Sequence, residues 1–271
     1  MFAGIPHKDY LAAPGTSNST LKHVLPTPAH LQHYLTHKDE EQPSTSLIVG
    51  TLIHYAILTP GETPPQVAVK PEDMTFRSKE GKAWKAQQES AGKIVIGFDA
   101  WETVQRCIEG AKKCQLLCDI VEDSECEVSL WDEREVRPDE FEQAVPLLLK
   151  CRFDILPKDD KLILDVKTTD DASEDEWQRA MERLQYHRQA AWYIDLLGEH
   201  RAWFFALIEK PTGFVRITQL HPAAIDAGRK ENERDLQKLA WCVANNEWPG
   251  YSIDGSDVSN LPTRYYYKPQ A

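Results

Sequence analysis

One stretch constrains the fold of this chain more than any other: residues 151–167, CRFDILPKDDKLILDVK. Two short apolar runs, CRFDIL and KLILDVK, flank the turn-rich joint Pro157-Lys158-Asp159-Asp160, a pattern that predicts two antiparallel strands of a hairpin. Each strand carries an aspartate among aliphatic neighbours, Asp154 and Asp165. Side chains alternate along a strand, so Asp165 and Lys167 share a face. Carboxylates and an amine on a largely buried sheet are costly unless they pair with one another or bind a cation. The hairpin is therefore a candidate site, and the rest of the chain either supports it or leaves a structural Asp-Lys pair.

Composition narrows the setting. The 271 residues, 41% of them hydrophobic, suffice for a large core. No apolar run approaches the ~20 residues that cross a bilayer, and the start MFAGIPHKDY lacks the pattern of a secretory signal. Six cysteines, at 107, 114, 118, 126, 151 and 242, form no CxxC pair or regular framework. They read as reduced thiols of a cytoplasmic protein. The net charge of -12 argues against a polyanionic partner on average. That average hides a contrast: residues 119–142 hold eleven acids and two arginines, whereas residues 70–93 hold six basic residues and four acids.

Helices and strands alternate irregularly along the chain. Residues 1–18 are polar and turn-rich. A short helix capped by Ser19 is expected next, then a second beginning near Pro28, and a polar loop at 38–46. Residues 47–58, LIVGTLIHYAIL, predict a buried helix on which His54 lies on the inward face with Leu47, Gly50, Ile57 and Leu58. An inward histidine is either a hydrogen-bonded core residue or a ligand. The segment FRSKEGKAWKAQQESAGK mixes basic and aromatic residues, as in a solvated helix or a phosphate-contacting lobe. An amphipathic helix is expected over 99–117. A strand, CEVSLW, follows at 126–131; Glu127 is its charged member, and Glu125 shares its face if the strand starts earlier.

After the hairpin, Ser173 and Glu176 form a capping-box pattern for a helix running to about residue 183. A helix over 187–197 should end at Gly198, and it aligns Gln189 and Tyr193 on one face. A second hairpin at 201–220 and a long helix at 222–246 complete the pattern. The expected architecture is α/β of the α+β kind, a mixed central sheet flanked by helices in a single domain over 1–271. That domain comprises an N-terminal helical segment (1–46), a core (47–248) and a tail (249–271).

Asp154, Asp165, Lys167 and an upstream acid, Glu127, have a definite chemistry. Oxygen ligands suit Mg²⁺ or Mn²⁺, and a lysine beside such an ion orients water and offsets developing charge. The order Asp, then (Asp or Glu)-x-Lys on adjacent strands is the PD-(D/E)xK nuclease pattern. Beyond the hairpin, the chain resembles the RecE-type (exonuclease VIII) branch of the RecB and lambda-exonuclease-like nucleases. The similarity is carried by KDYLAAPGTSNSTLKHVLPTPAHLQHYL, GTLIHYAILTP, FRSKEGKAWKAQQESAGK, EVSLW, CRFD, LDVKTT, YHRQAAWY and NEWPG, in that order.

The resemblance implies a Mg²⁺-dependent exodeoxyribonuclease, with Mn²⁺ as an alternative ion, digesting linear double-stranded DNA 5′ to 3′ from its ends and leaving 3′ single strands for recombination. It implies His54, Asp154, Asp165 and the Val166 carbonyl as metal ligands, Lys167 as the catalytic lysine, and Glu127 as the upstream acid with Glu125 as the alternative. Gln189 and Tyr193 match QxxxY beside the active site and, with Arg152, would contact DNA. Arg77, Lys79 and Lys82 are further DNA-contact candidates. Phe153 stands where the motif's proline would be. Only Cys242 follows QxxxY, so no iron–sulphur cluster is expected. A ring-shaped homo-oligomer and a RecT-like single-strand annealing partner are also implied, with no membrane. The competing readings are a Cas4-like or restriction-type nuclease and a non-catalytic protein that binds DNA ends.

Overall fold

The computed structural model describes residues 1–37, 43–59, 64–139, 141–159 and 161–251. The expected loop at 38–46 and tail at 249–271 fall largely outside them. Helices α1 (His7–Ala12) and α2 (Asn18–Leu21), a 3-10 turn (Lys22–Val24), α3 (Pro28–His37) and α4 (Thr45–Leu58) lead into a small parallel pair, β1 (Val67–Val69) and β2 (Ile94–Ile96), with α5 (Lys79–Ser90) between them. Next come α6 (Phe98–Lys113), α7 (Gln115–Glu122), β3 (Ser124–Val136), β4 (Val145–Pro157), β5 (Leu162–Thr169), α8 (Glu174–Leu184) and α9 (Tyr186–Leu197). Strands β6 (Ala202–Glu209) and β7 (Val215–Gln219) precede the long α10 (Pro222–Asn245).

Five strands form one mixed sheet in the order β3-β4-β5-β6-β7. Only β5 and β6 run parallel, because the α8–α9 crossover returns the chain to the same end of the sheet. The alternation of β5 decides which residue faces which layer. Ile163 packs with Trp177, Trp192, Trp203 and Phe205 under α8, α9 and α10. Leu164 and Val166 pack with Val49, Leu52, Ile53 and Val104 under α4 and α6. Burying each such large side chain contributes roughly 1.5–3 kcal/mol, so the two layers hold the central strand from both sides. Helices α9 and α10 cross so closely that a Cβ on Gly228 would stand 2.5 Å from the His187 carbonyl oxygen.

Several expectations change at the local level. Residues 7–12 are helical although nothing in their sequence caps them. The C-terminal carbonyls of α1 are instead satisfied by Lys150 on β4, whose Nζ donates to Tyr10 O at 2.9 Å and Ala13 O at 2.6 Å. Ser17, not Ser19, caps α2, its hydroxyl accepting from the Thr20 amide at 3.2 Å. The helix expected over 99–117 is two helices, broken at Cys114, whose φ/ψ of -81°/92° is extended. Ser173 does precede α8, but the capping box does not form: Asp171 accepts the Ser173 amide and Glu176 pairs with Arg179. Leu47, expected inward, is 59% exposed.

Candidate active site

The hairpin of β4 and β5 is joined by a single bridge pair, Ile155↔Leu164. Beyond it the strands splay. Phe153 packs in the aromatic layer and Ile155 in the aliphatic one, so β4 turns over at Asp154. The Val166 amide, which a strand partner would otherwise accept, donates to Asp154 Oδ2 at 2.8 Å. A side chain has thus replaced a rung of the ladder, and the gap it leaves is the site.

Helix α4 brings His54 to this gap, its Nδ1 3.8 Å from Asp154 Oδ2. On the other side, β3 brings Glu127. In the register of β3 with β4, Cys126 pairs with Ile155 and Val128 with Phe153, but Glu127 is skipped. Its φ of +54° is left-handed, a conformation that costs a non-glycine residue on the order of 1–2 kcal/mol. That kink breaks the alternation and turns the carboxylate toward the gap. His54, Glu127 and Asp154 offer ligand atoms that all lie within 4.8 Å of one another. Glu125, the alternative acid, is exposed on the regular part of β3 opposite Leu156 and takes no part in the cluster.

Asp165 and Lys167 occupy the adjoining wall. Their side chains form a close ion pair and are 2% and 15% exposed. The other carboxylate oxygen, Asp165 Oδ1, accepts from Gln189 Nε2 of α9 at 2.8 Å. Tyr193, one turn further on, packs edge-on against Phe153 and Trp203, with ring centroids 5.2 and 5.6 Å apart.

Burial sets the protonation of this wall. It pushes Asp154 up to about 6, against the pull of the Lys167 ammonium, and Asp165 likewise up to about 6. Burial disfavours the Lys167 charge, but the Asp165 and Asp154 carboxylates outweigh it and hold the amine above its ordinary value. His54 is lowered by burial first and by Lys167 second. Burial also raises the Tyr193 hydroxyl well above its usual value.

Two clefts meet here, of about 1400 and 1010 Å³, both lined by His7, His54, Glu127 and Arg152. Lys167, Arg183, Tyr186 and Lys210 line the first; Asp154, Gln189 and Tyr193 line the second. The residues expected to contact nucleic acid divide accordingly. Arg152 is spent within the protein: its Nε pairs with Glu127 and another guanidinium nitrogen donates to Ile5 O at 2.8 Å. The Gln189 amide is turned to Asp165. Arg77 and the α5 residues Lys79 and Lys82 are exposed and line neither cleft. His7 and Tyr186 went unremarked in the sequence. A signal for Tyr186 existed, an aromatic three residues before Gln189 and hence on its side of the helix; for His7 none did.

Fold and site together define a PD-(D/E)xK-like architecture, a mixed five-stranded sheet flanked by helices with the motif residues at a splayed β4–β5 pair. Residues 141–256 match the family model of a PDDEXK-like domain of unknown function (DUF3799). The match takes in Asp154, Asp165, Lys167, Gln189 and Tyr193 but not His54 or Glu127. The crystal structure of a protein from Eubacterium rectale, described as a candidate exonuclease, superposes with a TM-score of 0.62 over 96% of this chain and 96% of that one, at 14% identity. It shares the fold. A phage-related exonuclease from Haemophilus somnus 129PT reaches a TM-score of only 0.32 at 17% identity, over 66% of this chain and 91% of its own. No curated protein matches the sequence. Among the described residues, no helix is long and apolar enough to cross a membrane.

Proposed function

We propose that this protein is a divalent-metal-dependent deoxyribonuclease that digests linear duplex DNA from its ends, 5′ to 3′. The observation that carries the reading is the convergence of His54, Glu127 and Asp154 within 4.8 Å beside the buried Asp165–Lys167 pair. The donor set, carboxylate oxygens and one imidazole, fits Mg²⁺ or Mn²⁺. His54, Asp154 and Glu127 would hold the ion, with Asp165 and the Val166 carbonyl at its edge. An ion held there would supply charge neutralisation at the scissile phosphate and a more acidic water. The chain's own groups do the rest. Lys167 orients the attacking water and offsets charge as the new P–O bond forms and the P–O3′ bond breaks; the water gives up its proton to solvent and the leaving oxygen takes one from solvent. Gln189 fixes Asp165, and Arg152 holds Glu127 in place through their ion pair. The meeting of two clefts at these residues suits a strand passing through.

Mg²⁺ as the working ion, the 5′ to 3′ polarity, the 3′ single-stranded product for recombination, the ring-shaped homo-oligomer and the RecT-like annealing partner rest on the RecE-type resemblance, and the cytoplasmic setting on the unpaired cysteine pattern. The test uses duplexes labelled at the 5′ or the 3′ end and closed circles, each with Mg²⁺, with Mn²⁺ and with chelator. Early release of the 5′ label from linear DNA only, dependent on metal, is expected. Cleavage of circles would replace the exonuclease with a restriction-type or Cas4-like enzyme. Binding of ends without digestion under either metal would leave a non-catalytic end-binding protein.

A further inference from the structure

The Lys167 ammonium sits at the end of a flexible four-carbon stem, and such a side chain loses considerable rotamer entropy when held in one place. Asp165 supplies one contact. The second comes from the first residue of α9: Lys167 Nζ stands 5.0 Å from the centroid of the Tyr186 ring. That ring is itself immobilised. Trp177 stacks on it at 5.5 Å and 24°, and Phe205 lies tilted against it at 6.0 Å and 44°.

The corner that presents Tyr186 is braced from three directions. Lys22 donates to Leu184 O at 2.8 Å, closing the end of α8. Gln185 turns the chain through a left-handed φ of +57°. Arg188, fully buried, pairs with the equally buried Asp235 of α10 at 2.8 Å and donates to Asn232 Oδ1 at 2.9 Å. Asn232 in turn donates to Arg188 O at 2.8 Å, and Asn18 of α2 to Asn232 Oδ1 at 3.2 Å. The braced turn reaches both members of the ion pair, Gln189 touching Asp165 and Tyr186 covering Lys167.

We propose that Tyr186 is a positioning residue for Lys167, its ring capping the ammonium through a cation–π contact and holding it against Asp165. The negative face of an aromatic ring attracts a cation and excludes water from it. A lysine so held keeps one geometry and an unscreened charge. The catalytic consequence rests on the nuclease reading; the placement does not.

The closing experiment therefore has two arms. In the first, each lysine of the intact protein is acylated with an N-hydroxysuccinimide ester and followed by mass spectrometry, which needs no DNA cleavage. Lys167 should label more slowly than exposed Lys82 in the wild type, equally slowly in Tyr186→Phe, and about tenfold faster in Tyr186→Leu, as the ring is what covers it. The second arm measures kcat and KM on duplex DNA: Tyr186→Phe within about twofold of wild type, and Tyr186→Leu with kcat down about 10–100-fold, the range for groups that orient a reacting partner, at nearly constant KM.

Wild-type Lys167 labelling as fast as Lys82 overturns the proposal. So does loss of protection in Tyr186→Phe, which would make the hydroxyl the holding group, or an unchanged labelling rate in Tyr186→Leu. If melting shows that the leucine variant does not fold, the wild-type and phenylalanine labelling rates still decide. A wild-type protein that digests no DNA removes the nuclease reading and leaves the labelling result standing.

Discussion

The two aspartates of the central hairpin, Asp154 and Asp165, are both pushed by burial up to about 6, yet the protein treats them differently. Asp165 is answered from within: Lys167 takes one oxygen and Gln189 the other, and the side chain is 2% exposed. Asp154 is answered only in part. It accepts one backbone amide and faces His54 at 3.8 Å, and its neighbour Glu127 has Arg152 as its partner. One half of the site is a finished structural unit; the other is a set of ligand atoms short of positive charge. A buried carboxylate whose charge the chain leaves unpaid is a place for a cation from solution.

The largest test of this contrast removes the finished half's amine. Lys167→Ala should lower the rate of DNA cleavage by about a thousandfold, the scale of a lost acid–base or charge-stabilising group, while a gel-shift assay shows DNA still bound. Near-normal cleavage would move the reaction away from this wall. Gln189→Ala is expected to cost less, about 10–100-fold in cleavage rate, because it loosens Asp165 without removing it. If it instead abolishes DNA binding while cleavage of bound DNA is unchanged, Gln189 belongs to the interface.

The third test reads the unanswered half through pH. A carboxyl whose folded pKa lies above its unfolded value of ~3.9 adds stability at low pH and loses it as pH rises through the folded value. For Asp154 that loss falls between about pH 4 and 7. His54, lowered by burial, acts in the opposite sense, so the comparison is made against Asp154→Asn. Without metal, this variant should gain melting temperature over wild type at about pH 7.5 and only about half as much at about pH 5. Added Mn²⁺ should stabilise wild type at the higher pH and leave the variant unmoved. Equal metal-induced shifts in both proteins would exclude Asp154 as a ligand. The smallest effect concerns Gln185, whose left-handed backbone belongs to the finished half. Gln185→Gly should raise stability by up to about 1 kcal/mol in urea unfolding. A loss would show that its side-chain contact with Arg188, at 3.4 Å, outweighs the strain.

The strands of the hairpin, the buried helix carrying His54, the α9 helix ending at Gly198 and the final long helix could be read from periodicity and turn chemistry, because local sequence decides them. What escaped was settled at a distance. Helix α1 depends on a lysine 137 residues beyond Ala13 in the chain. The break at Cys114 carries no glycine or proline. The left-handed kink at Glu127 cannot be inferred from a strand-like CEVSLW, yet it selects Glu127 over Glu125 for the cluster. The sequence pattern also placed Asp154 and Asp165 on a regularly paired hairpin, whereas the splay beyond Ile155 and Leu164 separates their environments. Gln189 and Tyr193 share a face as the spacing requires, but the spacing could not tell that one reaches Asp165 and the other packs in the core.

The buried pair of Arg188 and Asp235 bears on how such a protein comes off the ribosome. Every proposed ligand and the lysine have been synthesised by residue 167, and the turn that steadies them by residue 189. The carboxylate that neutralises Arg188 comes forty-seven residues after it, in α10. Until then α9 lacks the helix that both covers Arg188 and supplies its counter-charge. The brace behind Tyr186 and Gln189 is therefore complete only once α10 has been made.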